Sequence, residues 1–136
     1  MKASRSFFAA VAAVAAALAA LGAHSLNAQQ PGFIRNVLQK VDLSAHGREA
    51  IQITADFPPG TTTGKHTHPG EEIGYVLEGT ASFTLEGKAP VTLKAGDHFF
   101  VAAETVHEGR NAGSGKAKVL VTYIVEKGKP LATPVK

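Results

Sequence analysis

Apolar residues recur at every second position over several short stretches of the chain. In the clearest of these Ile51, Ile53, Ala55 and Phe57 alternate with more polar neighbours until Pro58-Pro59-Gly60 ends the run, a strand followed by a sharp corner. A second apolar stretch, Ile73–Leu77, stops at Glu78-Gly79, after which Ala81, Phe83 and Leu85 alternate as far as Glu86-Gly87-Lys88. These two stretches predict neighbouring antiparallel strands. Val91 with Leu93, and then His98–Val101, give two further short strands. Val119–Val125 reads as a longer, more continuously apolar strand, with Asn111–Gly115 as the turn before it. Upstream, Ile34, Val37, Leu38 and Val41 make a weak pattern in Gln29–Leu43 that fits either a helical turn or an edge strand. Pro130 and Pro134 mark a loose C-terminal tail.

At least six short strands, with no convincing helix between them, predict an all-β sandwich or barrel. The 136 residues support one hydrophobic core and therefore one domain. The 14 glycines and 7 prolines, against 7% aromatic residues, agree with many tight turns.

Residues 1–28 have a secretory layout: Lys2 and Arg5 form a positive start, Phe7–Ala23 an apolar run rich in alanine, and Leu26-Asn27-Ala28 a small-residue cleavage site. Cleavage is expected after Ala28, which makes the mature protein periplasmic or secreted. The alternative of an uncleaved anchor is disfavoured because the run ends at Gly22 and His24, short of the ~20 strongly apolar residues a span needs. Once cleaved, the chain is not expected to associate with a membrane. Loss of Lys2 and Arg5 takes the 14 basic residues to 12, against 11 acidic ones. That near-neutral balance has no electrostatic footprint for nucleic acid, and none is expected as a partner. The chain has no cysteine, so any metal site must use imidazole and carboxylate, and stability must come from the core rather than from disulfides.

Three of the histidines form a pattern. His66 and His68, two apart on a β-forming stretch, point to one face. Glu72 keeps an even offset from His68, although Pro69-Gly70 is placed to bend the strand. His107 follows the turn at Gly96-Asp97 and would bring a fourth ligand from a distant element, as a rigid site on a β-scaffold requires. Neutral imidazoles with one carboxylate suit one divalent transition metal ion, such as Mn, Fe, Co, Ni, Cu or Zn, and leave positions open on a six-coordinate ion. Glu71, at an odd offset, reads as a solvated surface acid. Glu104, three residues before His107, is a candidate catalytic proton acceptor or a support for His107, and equally an exposed turn residue. The side on which His98 lies is open, and His46 reads as loop. Phe57, Phe83, Phe99, Phe100 and Tyr75 could line a pocket, but most of them read as core.

In these residues the chain resembles the cupin superfamily. Gly60, His66, His68, Glu72 and Gly79 match every position of its first motif, and Gly96, His107 and Asn111 match the second, where Ala102 stands for proline and Glu104 for glycine. The resemblance implies an antiparallel double-stranded β-helix, the jelly-roll β-barrel, over residues 29–136, with a motif-bearing core at about 50–126. It also implies metal binding by His66, His68, Glu72 and His107. Cupins similar to this chain include dioxygenases, isomerases and lyases. Three histidines with one glutamate resemble the quercetinase and oxalate oxidase sites, which implies oxygen-dependent cleavage of a small phenolic or dicarbonyl compound. The alternative is a non-catalytic module that binds a metal or small ligand as a periplasmic sensor or carrier. Open sheet edges would favour pairing of two barrels as a homodimer.

Overall fold

Side chains alternate sides along a strand, so apolar positions spaced by two must form one wall of a core. The structure, a computed structural model, describes residues 32–136 and contains among them ten strands and no helix. The proposed leader lies outside the described residues. In chain order the strands are β1 (Ile34–Asp42), β2 (Arg48–Phe57), β3 (His66–Thr67), β4 (Gly70–Glu78) and β5 (Thr80–Leu85). The second half contributes β6 (Val91–Lys94), β7 (His98–Val101), β8 (His107–Asn111), β9 (Ala117–Glu126) and β10 (Thr133–Pro134). One antiparallel sheet runs β1-β2-β9-β4-β7 and the other β10-β3-β8-β5-β6.

The alternation read from Ile51 to Phe57 is realised in full: in β2 every odd-numbered residue from Glu49 to Phe57 is buried, and β9 repeats the pattern from Ala117 to Val125. β9 lies at the centre of its sheet, paired with β2 on one side and β4 on the other. Its outward Leu120 and Ile124 are half-buried there, which is why this strand reads as continuously apolar. The weak lead-in pattern resolves as an edge strand. β1 pairs only with β2, bulges at Leu38, and is mostly exposed, so little burial shaped its sequence.

Two expectations are corrected. Ile73–Leu77 and Ala81–Leu85 do not pair with each other: β4 pairs with β7 and β9, and β5 with β6 and β8, in opposite sheets. A single residue, Gly79, separates the two strands, fewer than the two a tight hairpin loop needs. With φ at +79°, it turns the chain from one sheet into the other instead. The C-terminal tail is also not loose. Thr133 and Pro134 pair with Thr67 and His66, and Leu131 is buried in the core cluster at 8% exposure. Pro134 is tolerated because β10 is an edge strand, where a missing N–H leaves no neighbour unpaired.

The same period sorts the aromatic residues. Phe57, Phe83 and Phe99 face the interior, whereas Tyr75 and Phe100 are exposed on the outer face beside Ile73 and Leu77. His98 is opposite Tyr75 in the β4–β7 register and shares that outer face. His46 lies in the exposed β1–β2 turn.

At Gly79 a Cβ would stand 2.4 Å from the Lys116 carbonyl oxygen, whereas at Gly87, with φ at +74°, it would meet nothing within 4 Å. Gly79→Ala is therefore expected to cost more than the ~1–2 kcal/mol of a left-handed residue alone, and Gly87→Ala no more than that. Urea unfolding of the two variants compares them, and equal losses would mean that the sheet-to-sheet corner relaxes freely.

Candidate metal centre

The chain changes sheets four times between His66 and His107. His66 lies in β3, paired with His107 in β8, while Glu72 lies in β4 of the opposite sheet, beyond Pro69. Proline has no N–H to continue a ladder, and the strand breaks there. Glu72 thus meets the histidines by crossing the barrel, not by staying on one strand's face. All four side chains are buried, at 2–5% exposure, and their ligand atoms lie within 4.8 Å of one another.

Each imidazole is held from behind. Nδ1 of His66 lies 2.9 Å from the Gly64 carbonyl, Nδ1 of His107 2.9 Å from that of Thr105, and Nδ1 of His68 2.5 Å from that of Leu131. A carbonyl can only accept, so these partners assign the proton to Nδ1 and leave a lone pair on each Nε2. The Nε2 atoms then face one another and the carboxylate. His66 Nε2 lies 3.1 Å from His68 Nε2, and Glu72 Oε2 lies 3.0 Å from His68 Nε2 and 2.9 Å from His107 Nε2. Glu72 Oε2 and His107 Nε2 are close but lack hydrogen-bond direction, and both remain without a bonding partner. Buried lone pairs converging on one point repel unless a cation lies between them. The donor set therefore fits a divalent metal of the nitrogen- and oxygen-binding kind.

The electrostatics follow from burial and from Glu72. Burial brings the His66 imidazole down to about 4, against the opposing pull of the Gly64 carbonyl. Burial would raise the Glu72 carboxyl, but the imidazoles of His107 and His68 outweigh it and hold it at about 2. Burial would lower His107, yet Glu72 beside it prevails and raises it.

An apolar cavity of about 50 Å³ opens beside the cluster, lined by His66, Glu72 and His107 together with Phe57, Phe83 and Phe99. Tyr123 also lines it and rests its ring 4.6 Å from that of His68. Burial pushes the Tyr123 phenol strongly up, so it stays protonated. The sequence reading missed Arg35, another lining residue, because nothing in the lead-in pattern set the direction of its strand. It also missed the Leu131 carbonyl, since a backbone acceptor leaves no mark in residue type.

The four expected ligands come together, and the other acids do not join them. Glu71 faces outward and pairs with Arg48 at 3.7 Å. Glu104 is exposed and absent from the cavity lining, so its candidate role as a proton acceptor has no geometric support. It acts through its backbone: φ is 58°, the left-handed region, and its N–H donates to the His68 carbonyl at 3.0 Å. That conformation is the reason glycine suits this position. Asn111 holds the following turn, donating to the carbonyls of Phe57 and Gly115 and accepting from the Gly113 N–H.

Residues 53–123 match a family model described as the cupin domain. The chain belongs to the cupin family. Among curated proteins this cupin is similar to an oxalate-binding protein of Thermotoga maritima, 35% identical over 81 residues, which cover 59% of this chain and 66% of that one. It is also 35% identical over 77 residues to the HTH-type transcriptional regulator PuuR of Escherichia coli, covering 56% of this chain and 41% of the regulator. The cupin thus spans less than two thirds of either relative. A solved double-stranded β-helix protein of Klebsiella pneumoniae superposes with a TM-score of 0.63 at 20% identity, over 78% of this chain and 86% of that one. The fold is therefore the expected double-stranded β-helix.

Burial of His66 sets a pH response in the metal-free protein. An unfolded chain protonates this histidine near 6.5 and the folded one only near 4, so the unfolded form binds more protons in that window. Stability therefore falls as pH drops through it. Glu72 has the same sign at lower pH, and His107 the opposite sign, lost only as pH rises above 6.5 through its raised value. The urea midpoint of the metal-free cupin is expected to fall between pH 6.5 and 4, and to fall less in His66→Ala. Equal slopes for the two proteins would contradict this account.

Proposed function

We propose that this cupin is an exported metalloprotein that holds one divalent transition metal through His66, His68, Glu72 and His107 and acts on a small oxygen-containing compound in the adjoining cavity. The observation that carries the reading is the convergence of three Nε2 lone pairs and one buried carboxylate, each imidazole anchored through Nδ1. When bound, the ion supplies Lewis acidity or one-electron chemistry. The apolar walls exclude bulk water, and the Nδ1 anchors hold the imidazoles oriented. A cavity of about 50 Å³ has room for roughly three or four waters, which favours a small carboxylate or dicarbonyl compound over a polycyclic phenol. The similarity to an oxalate-binding protein supports the same size class.

Oxygen-dependent cleavage is the first reading. A non-catalytic sensor or carrier is the second, favoured by one observation: the cavity lining holds no carboxylate besides Glu72 and no histidine besides His66 and His107 to serve as a free general base. Export rests on the leader-like residues 1–28, and the absence of a nucleic-acid partner on the near-neutral mature charge. The similarity to a transcriptional regulator covers only 41% of that protein. Exposed Ile73, Tyr75, Leu77 and Phe100 on one outer sheet face support a homodimer.

Elemental analysis of the full chain expressed with export, beside the His66→Ala/His68→Ala double variant, tests the metal. A near-stoichiometric ion in the wild type, lost from a variant that keeps its circular dichroism, is the expected result. A metal-free wild type, even after reconstitution, would remove the metalloprotein reading. Oxygen uptake then separates the enzyme from a module that shows only ligand-shifted melting. Intact mass of the exported protein checks processing, with a mature chain starting at Gln29 as the expected species.

A further inference from the structure

Arg35 lies in β1, upstream of the stretch matched by the family model, and reaches the cavity from the barrel's edge. It pairs with Ala55, a buried inner-face residue, and lines the same cavity as His66, Glu72 and His107. Its guanidinium lies 5.3 Å from the centre of the Phe33 ring, which stacks on Phe57 at 5.0 Å. That aromatic face supports the guanidinium without using its N–H groups.

Arg35 has no acidic partner. None of the ion pairs among the described residues includes it, and its Nε is buried without a hydrogen-bond acceptor. The one carboxylate lining the cavity, Glu72, lies against His68 and His107 rather than Arg35. Arg35 also hydrogen-bonds the Tyr123 phenol, opposing the upward push of burial and Glu72, so the two are neighbours in a chamber that Thr63, Ser82 and the exposed Arg110 also line. A planar fork of N–H donors matches a carboxylate bidentately, and a permanently charged group held in an apolar wall without an acceptor is a site for an incoming anion.

The geometry points to Arg35 as a specificity-determining residue that recruits a small carboxylate anion into the cavity, one end on the guanidinium and the other toward the four-residue cluster. This inference rests on the metal-centre reading only for what receives the second end. The fork, the stacked Phe33 and the cavity size define the first end independently: a short mono- or dicarboxylate, planar and charged at the Arg35 end.

The test is calorimetric titration of the full cupin, metal-loaded and metal-free, with oxalate, malonate, neutral oxamide and inorganic phosphate. Wild type, Arg35→Gln and Arg35→Lys are compared, with metal content and circular dichroism measured on each. Loss of a charge-assisted bidentate contact is expected to weaken oxalate and malonate binding by about 10- to 100-fold in Arg35→Gln. Arg35→Lys, which keeps the charge and loses the fork, is expected to fall between, with oxamide and metal content unchanged. Equal carboxylate affinity in Arg35→Gln and wild type overturns the proposal, as does oxamide binding as tightly as oxalate. Phosphate binding as tightly as the carboxylates would overturn the choice of ligand class. No carboxylate binding by a metal-loaded wild type removes Arg35's role and leaves the metal centre standing. A wild type that takes no metal but binds carboxylate through Arg35 removes the metal centre and leaves this inference standing.

Discussion

The carbonyls of Gly64, Thr105 and Leu131 each accept an Nδ1–H from one histidine, and these three hydrogen bonds turn three Nε2 lone pairs toward a single buried point. The carbonyls come from three separate segments: the approach to β3, the turn before β8, and the C-terminal stretch before β10. The cluster can therefore form only when those segments are docked together. An imidazole without such an anchor could rotate its ring or exchange tautomers and lose its aim. Folding of the barrel and orientation of the donors are thus one event.

Glu72 completes the cluster from the opposite sheet and is the most demanding member. A buried carboxylate is costly unless it is paired, and its position between His68 and His107 offsets that cost while raising His107 and holding Glu72 ionised. His66 responds in the other direction because burial dominates there. The shifts are opposite because at His107 the adjoining carboxylate outweighs burial, whereas at His66 burial prevails. A cation at the convergence point would satisfy both.

The polar groups lining the cavity are three members of the cluster together with Arg35, Tyr123, Thr63, Ser82 and Arg110, set among phenylalanines and aliphatic side chains. The apolar walls keep the local dielectric low, so each charged group carries further than it would in water. Arg35 is unusual in coming from β1, an edge strand whose other residues are mostly exposed. An edge strand that packs little of the core is free to carry a side chain chosen for a ligand.

Much of this was legible in the sequence. Alternation from Ile51 to Phe57 and the continuous apolar run from Val119 to Val125 marked the core strands, because side-chain period and burial follow from backbone geometry. Histidine and glutamate spacing identified the four cluster residues, and the left-handed backbone at Glu104 emerged only from the structure. The partner of each strand was not legible. Ile73–Leu77 and Ala81–Leu85 parted into different sheets at Gly79, and Glu72 reached the histidines across the barrel, because local periodicity reports a face without reporting what it faces. The docked tail, the Leu131 carbonyl behind His68 and the inward path of Arg35 belong to the same class. They depend on backbone groups and long-range register, which residue type alone does not encode, and only the tertiary structure decided them.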